Sequence, residues 1–256
     1  MTTTFNEANI RLLVDMMPGI AAFAPVVKAA IAAAARATGS PKFSRLAYAD
    51  PAVATPILQA AHRQAYAAIK EVRPALPVGI TLTTQDVQAD TPERAAYYRD
   101  KLYGDWVQVA REAADFFGVQ TYTRFVFDAN GMVAPAKDAE MTMAGYEFYP
   151  QALANTIRWA HREIGKPIYV TESGIAAKDD ARRIAFIDQA LDGVRACLDE
   201  GIPVHSYLYW SLLDNFEWTS GYGVPFGLVA VDRETLKRTP RPSALHLGAI
   251  ARANRI

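Results

Sequence analysis

The sequence predicts an α/β fold, a partial (β/α)8 barrel of about four to five parallel strands with helices and with the first strands missing. Three observations carry this reading. From about residue 78, short β-rich runs alternate with segments of helical length. Most of those helical segments open on a capping residue or a proline and end at a glycine. Strand ends carry polar and aromatic side chains, which is where a barrel keeps its chemistry.

Taken in order, Thr3–Asn6 reads as the tail of a strand, and Glu7 follows it. Residues 11–77 read as mainly helical. "AAFAPVVKAAIAAAARATG" is an Ala-rich helix that carries Lys28 and Arg36 and is broken by Pro25. Farther on, Ile57, Ala61, Tyr66 and Ile69 form one stripe before Pro74. "VGITLT" (78–83) is a strand. Thr91-Pro92-Glu93 supplies a cap, a first-turn proline and an early acid for a helix through about Phe117, which Gly118 ends. "VQTYTRFVF" is the next strand. Pro150 opens a helix with Leu153, Ile157 and Ile164 on its apolar face, closed by Gly165 and Pro167. "IYVT" (168–171) follows as a strand. Asp179 and Asp180 start a helix that buries Ile184, Ile187, Leu191, Val194 and Leu198, with Cys197 packed at the edge of that face. Gly201 and Pro203 stop it, "VHSYLYW" (204–210) is the last strand, and "SALHLGAIARAN" is a closing helix. A closed barrel needs eight strands, and residues 11–77 do not supply the rest. With no internal repeat and no low-complexity linker, residues 1–256 read as a single partial-barrel domain.

Composition excludes several function classes. Lys plus Arg and Asp plus Glu number 27 each, so no net field recommends nucleic acid or an anionic membrane. No apolar run approaches bilayer length, and the start lacks a basic segment followed by an apolar core. Cys197 is the one cysteine, which rules out an intrachain disulfide and a thiolate metal site. His62, His161, His205 and His246 show no ligand spacing and read as surface or packing residues. The expectation is a cytoplasmic protein with no metal and no cofactor.

Four strand ends carry polar or aromatic groups that a barrel would point at one spot: Asn6-Glu7, Tyr122, Glu172, and Trp210 with Glu217 and Trp218 in its following loop. A carboxylate at the mouth of an apolar strand costs several kcal/mol unless compensated, so Glu172 needs a reason to be there. A rim salt bridge is the plain alternative for it, and solvation the plain alternative for Glu7. The pair beside tryptophans suits a glycosidase, in which one carboxyl protonates the leaving oxygen and the other attacks the sugar carbon. Tryptophan suits the C–H faces of a pyranose, and Glu217 can accept from sugar hydroxyls.

"TFNEAN", "FGVQTYTR", "PIYVTESGIA" and "YLYWSLLDNFEWTSGYGVPFGLVAVDRETLKRTPRPSA" resemble successive motifs of glycoside hydrolase family 1, the β-glucosidase family. The resemblance runs from Thr4 to the C-terminus, is weakest over residues 11–77, and covers the family's barrel from the end of its fourth strand onward. It implies a retaining β-glycosidase, most simply a β-glucosidase, working by double displacement through a glycosyl-enzyme on a small β-glucoside or oligosaccharide. It also implies Glu7 as acid/base, Glu172 as nucleophile, and Asn6 on the sugar 2-hydroxyl. Tyr122 would then hydrogen-bond the nucleophile, Trp210 would form the platform, and Glu217 with Trp218 would hold the remote hydroxyls. Departures are Ala8 for the usual Pro, Ser173 for Asn, and Gln120-Thr121 for Asn-Tyr. Glu217-Trp218 stands where phosphoglycosidases use Ser and Lys, which argues against a 6-phosphorylated sugar. The Gln and the His-Trp pair that family members draw from their first and third strands have no counterpart in the sequence, so impaired turnover is one expectation. A sugar-binding or half-barrel assembly remnant without turnover therefore stays open as the second reading. Open strand edges beside Thr3–Asn6 and Tyr207–Trp210 imply a homodimer or larger homo-oligomer.

Overall fold

The computed structural model describes residues 1–16, 20–43 and 49–256. In chain order its elements are β1 (Thr2–Thr3), α1 (Ile10–Met16), α2 (Ile20–Ala37), α3 (Pro51–Val72), β2 (Val78–Thr83), β3 (Asp86–Ala89), α4 (Pro92–Arg99) and α5 (Asp105–Ala113). There follow β4 (Phe116–Gln120), β5 (Arg124–Asp128), β6 (Gly131–Val133), α6 (Ala152–Ile164), β7 (Ile168–Ser173), α7 (Asp180–Asp199), β8 (Val204–Tyr209), β9 (Val229–Val231), β10 (Arg238–Pro240) and α8 (Pro242–Ala253). The principal sheet has the order β1-β2-β4-β7-β8, and its five parallel strands with their helices make part of a (β/α)8 barrel. A three-stranded sheet, β3-β5-β6, and the β9-β10 hairpin lie outside it. No helix among the described residues is long and apolar enough to cross a membrane.

The chain divides into two compact units. The first comprises Met1–Thr83, Val87–Phe117 and Val126–Ala134. Every residue of β2 is buried, and Gly79 is required there because a Cβ would meet the Phe116 ring at 2.4 Å. His62 of α3 is fully buried: burial pushes its pKa down, and the neutral ring accepts from Thr4 Oγ1 (2.6 Å) while its Nε2–H donates to the Ala113 carbonyl (2.8 Å). Asp115 accepts from the Val78 amide and the Tyr66 hydroxyl, each at 2.9 Å, and pairs with Lys70 at 2.5 Å. These contacts tie α3 to the start of β2.

The second unit comprises Thr84–Asp86, Gly118–Phe125 and Pro135–Ile256. Helix α6 begins after Pro150 and ends on Gly165 in the left-handed region, φ 70°. Asp179 caps α7 by accepting from the Ala181 amide at 2.9 Å. Leu153, Ile157 and Ile164 are buried as their spacing predicts. Ile187 and Leu191 of α7 pack with Leu228, Tyr207 and Tyr209 and with the apolar face of α8.

Several expectations are corrected. The helix predicted from Thr91 to Phe117 is α4, one wider turn over Asp100–Gly104, and α5; Phe116 and Phe117 already belong to β4. Gly118 therefore lies inside a strand instead of ending a helix. "VQTYTRFVF" is not one strand, because the chain turns over residues 121–123 between β4 and β5. The first strand is Thr2–Thr3, which leaves Phe5 and Asn6 beyond it. Ile57 is 62% and Leu198 42% exposed, because the buried faces of α3 and α7 run through their neighbours, His62 and Cys197.

Candidate active site

In the second unit, β7 enters the sheet with Ile168 and Val170 fully buried and emerges at Glu172, which is half-buried. Both carboxylate oxygens are held. The Tyr122 hydroxyl donates to Oε2 at 2.6 Å, and Gln120 Nε2 donates to Oε1 at 3.0 Å. Charge-assisted bonds of this length are roughly twice as strong as neutral ones, so they fix the group's orientation as well as its place. The Tyr122 ring stands edge-on to Phe226, with centroids 6.0 Å apart, and tilted against Tyr146 at 6.2 Å. An ionised carboxylate so held can attack an electrophilic carbon or accept a proton.

The chain after Glu172 lies close against the end of β8. A Cβ on Gly174 would sit 2.0 Å from the Trp210 carbonyl oxygen, so only glycine fits. The Trp210 amide donates to the Ser173 carbonyl at 3.0 Å. Tyr209 donates from its hydroxyl to the Ile175 carbonyl (3.1 Å) and accepts from the Ile175 amide (3.2 Å). Burial pushes the Tyr209 phenol up to about 12, so the donor stays protonated.

Trp210 is followed by a cis peptide to Ser211. Its Nε1–H donates to Glu217 Oε1 at 3.1 Å, which joins the ring to the carboxylate of the following loop. That loop is anchored by Asp214, which accepts from Arg241 Nη1 (3.0 Å) and Nη2 (2.8 Å) and from the Gly227 amide (2.9 Å). Trp218 is 76% exposed and has a left-handed backbone, φ 43°.

In the first unit, Asn6 is exposed and Glu7 half-buried. Glu7 has φ 47°, a conformation that costs a non-glycine residue of the order of 1 kcal/mol and recurs at functional sites. The neighbouring backbone explains how the turn persists. Thr81 Oγ1 donates to the Phe5 carbonyl at 2.9 Å, and the Ile10 amide closes onto the Glu7 carbonyl at 2.9 Å as α1 begins. Asn9, 1% exposed, accepts from the Thr83 amide (3.0 Å) and donates to the Thr83 carbonyl (2.9 Å), in the manner of an extra strand residue.

The structure thus joins Tyr122 to Glu172 and Trp210 to Glu217 in the second unit, and sets Asn6 and Glu7 side by side in the first. Gln120 was visible in the sequence only as a departure from a motif, yet it contacts Glu172 directly. Asn9 carries no chemical motif of its own, and its place two residues after Glu7 is its only signal in the sequence. Among the described residues, no three His, Cys, Asp or Glu side chains are grouped to hold a metal ion.

The family model of glycosyl hydrolase family 1 matches residues 105–256. The chain is 35% identical over 167 residues to a β-galactosidase of Sulfolobus acidocaldarius, covering 57% of this chain and 33% of that protein. It is 32% identical over 180 residues to β-glucosidase A of Thermotoga maritima, covering 63% and 40% respectively. Among solved structures it superposes on a β-glucosidase designated 1317, in its apo form, with a TM-score of 0.94 at 44% identity, over 99% of this chain and 63% of the other. The chain therefore spans a third to two fifths of the length of these two curated relatives.

Proposed function

The chain belongs to glycosyl hydrolase family 1, and from that premise we propose that it is a retaining β-glycosidase, with a small β-glucoside or oligosaccharide as substrate. The observation that carries the proposal is the pair of donors on Glu172, Tyr122 at 2.6 Å and Gln120 at 3.0 Å. A nucleophile must present a charged oxygen in one direction, and two fixed donors on one carboxylate achieve that. In the proposed cycle Glu172 attacks the anomeric carbon as Glu7 gives its proton to the leaving oxygen. Glu7 then takes a proton from water, which releases the sugar from Glu172. Asn6 binds the 2-hydroxyl. Trp210 forms the platform under the ring; Glu217, hydrogen-bonded by the Trp210 indole, accepts from the remote hydroxyls, which Trp218 helps to hold. Glu217-Trp218, standing where phosphoglycosidases use Ser and Lys, favours an unphosphorylated sugar.

The test is turnover of an aryl β-glucoside followed by NMR. Retention requires β-glucose to appear first and to mutarotate afterwards. First-formed α-glucose contradicts the double displacement, and no turnover favours the reading as a sugar-binding remnant. We also propose self-association. β1 and β8 stand at the two ends of the sheet order, and Leu208 and Leu212, on and just beyond β8, are 47% and 65% exposed. Unpaired edges flanked by apolar side chains invite another chain. Light scattering should give a homodimer or larger species, and a monomer at micromolar concentration counts against it.

A further inference from the structure

Residues 121–123 connect β4 to β5 and carry Tyr122, whose hydroxyl lies 2.6 Å from Glu172. Outside regular structure, a buried turn must find partners for its backbone from side chains or neighbouring loops. The Thr121 amide donates to the Glu172 carbonyl at 3.0 Å, and further partners come from the three residues after β2. Gln85, 6% exposed, accepts at one oxygen, Oε1, from the amides of both Tyr122 (3.2 Å) and Thr123 (3.1 Å). Thr84 accepts at its carbonyl from Thr121 Oγ1 at 2.5 Å, and the Asp86 amide donates to the Thr123 carbonyl at 3.2 Å. Thr84–Asp86 belong to the same compact unit as Gly118–Phe125, while Thr83 before them and Val87 after them belong to the other.

We infer that Gln85 is a positioning residue for the reaction: it pins the backbone from which Tyr122 reaches Glu172. The inference rests on the reading of Glu172 as nucleophile. Donors of this kind have to be held within about 0.5 Å of their working place, and a single oxygen bridging two consecutive amides fixes both the position and the tilt of the peptide between them. Gln85 touches neither the substrate nor the reacting atoms in this scheme, so its effect passes through the Tyr122 hydroxyl.

The experiment compares Gln85→Leu, which removes the acceptor, with Gln85→Glu, which keeps it, each with and without Tyr122→Phe in the full chain. In Gln85→Leu the Tyr122 and Thr123 amides should exchange with solvent about tenfold faster or more, the scale of one lost hydrogen bond, while Gln85→Glu stays near the parent. Trapping of Glu172 by a 2-fluoro glucoside should slow about tenfold in Gln85→Leu with its half-saturating concentration unchanged, and should recover in Gln85→Glu. Once Tyr122→Phe is present, Gln85→Leu should slow trapping no further. Unchanged exchange in Gln85→Leu, or equal slowing with and without Tyr122→Phe, overturns the inference. An unlabelled parent chain counts against Glu172 as nucleophile, whereas normal labelling with unaltered exchange in Gln85→Leu counts against Gln85 alone. Should Gln85→Leu fail to fold, Gln85→Met, which keeps the length and loses the oxygen, takes its place.

Discussion

The two strand ends that carry the proposed reacting carboxylates are built on different plans. Around Glu7 the backbone sets the geometry: a left-handed residue at φ 47°, a turn closed by Ile10, and Asn9 splinted against Thr83. Around Glu172 side chains set it, with Tyr122 and Gln120 each taking one carboxylate oxygen where β7 shifts register against β8 between Val170 and Ser173. Near Glu7 the hydrogen bonds of Thr81, Asn9 and Ile10 order the backbone of the segment, and near Glu172 those of Tyr122 and Gln120 reach the carboxylate oxygens. Substitutions near Glu7 should therefore act through local order, and those near Glu172 through chemistry.

The largest effect expected is from Glu172→Ala, which removes the nucleophile and should cut release of nitrophenol from an aryl glucoside by roughly 10⁴-fold or more. Because the strand is otherwise intact, its melting should stay near that of the parent. A variant that keeps a tenth of the activity breaks the comparison. Glu7→Ala comes next. Loss of a general acid should slow cellobiose cleavage by roughly 10²–10⁴-fold. A dinitrophenyl glucoside, whose leaving group needs no proton, should suffer far less, and added azide should restore it. Equal losses on the two substrates would sink the role assigned to Glu7.

Asn9→Ala sharpens the contrast because it touches no reacting group. It removes both hydrogen bonds from Asn9 to the amide and carbonyl of buried Thr83 and should destabilise the chain by about 1–3 kcal/mol in thermal or urea melts. The smallest effect concerns pH. Burial alone would raise the pKa of Asp180, but the Ser243 amide (2.7 Å) and hydroxyl (2.8 Å), with Arg183 beside them, outweigh it and hold the carboxyl below its usual value. A depressed folded-state pKa gives stability that is full above the unfolded value and is lost as pH falls toward the folded one. Asp180→Asn should therefore lower the melting temperature at neutral pH and narrow its gap from the parent in acid. A gap that widens in acid contradicts the sign.

Much of the second unit was legible because its signals are local. Asp179 caps the helix that it marks as starting, Gly165 takes the left-handed turn that ends α6, and the apolar spacing of Leu153, Ile157 and Ile164 matches their burial. Glu172 and Tyr122 were legible as strand-end groups, and the structure brings them into contact. What misled was tertiary. Phe116 and Phe117 continue the apolar pattern of the preceding helix, yet β4 buries both in the sheet, and Gly118 mimics a helix stop inside that strand. The break within "VQTYTRFVF" is held by Gln85 and Asp86, more than thirty residues earlier, so no local window contains its cause. Gln120 was seen only as the wrong residue for a motif, because its reach to Glu172 depends on how two strands are placed.

The central claim, that Glu172 is the covalent nucleophile of a β-glycosidase, is tested most directly by mass spectrometry of the chain after exposure to a 2-fluoro glucoside with a good leaving group. The fluorine slows breakdown of the glycosyl-enzyme more than its formation, so the adduct accumulates. The account predicts a single fluoroglucosyl adduct on the peptide that contains "IYVTESG", attached at Glu172 and absent from Glu172→Ala. An adduct on any other residue, or steady turnover with no adduct at all, would contradict it.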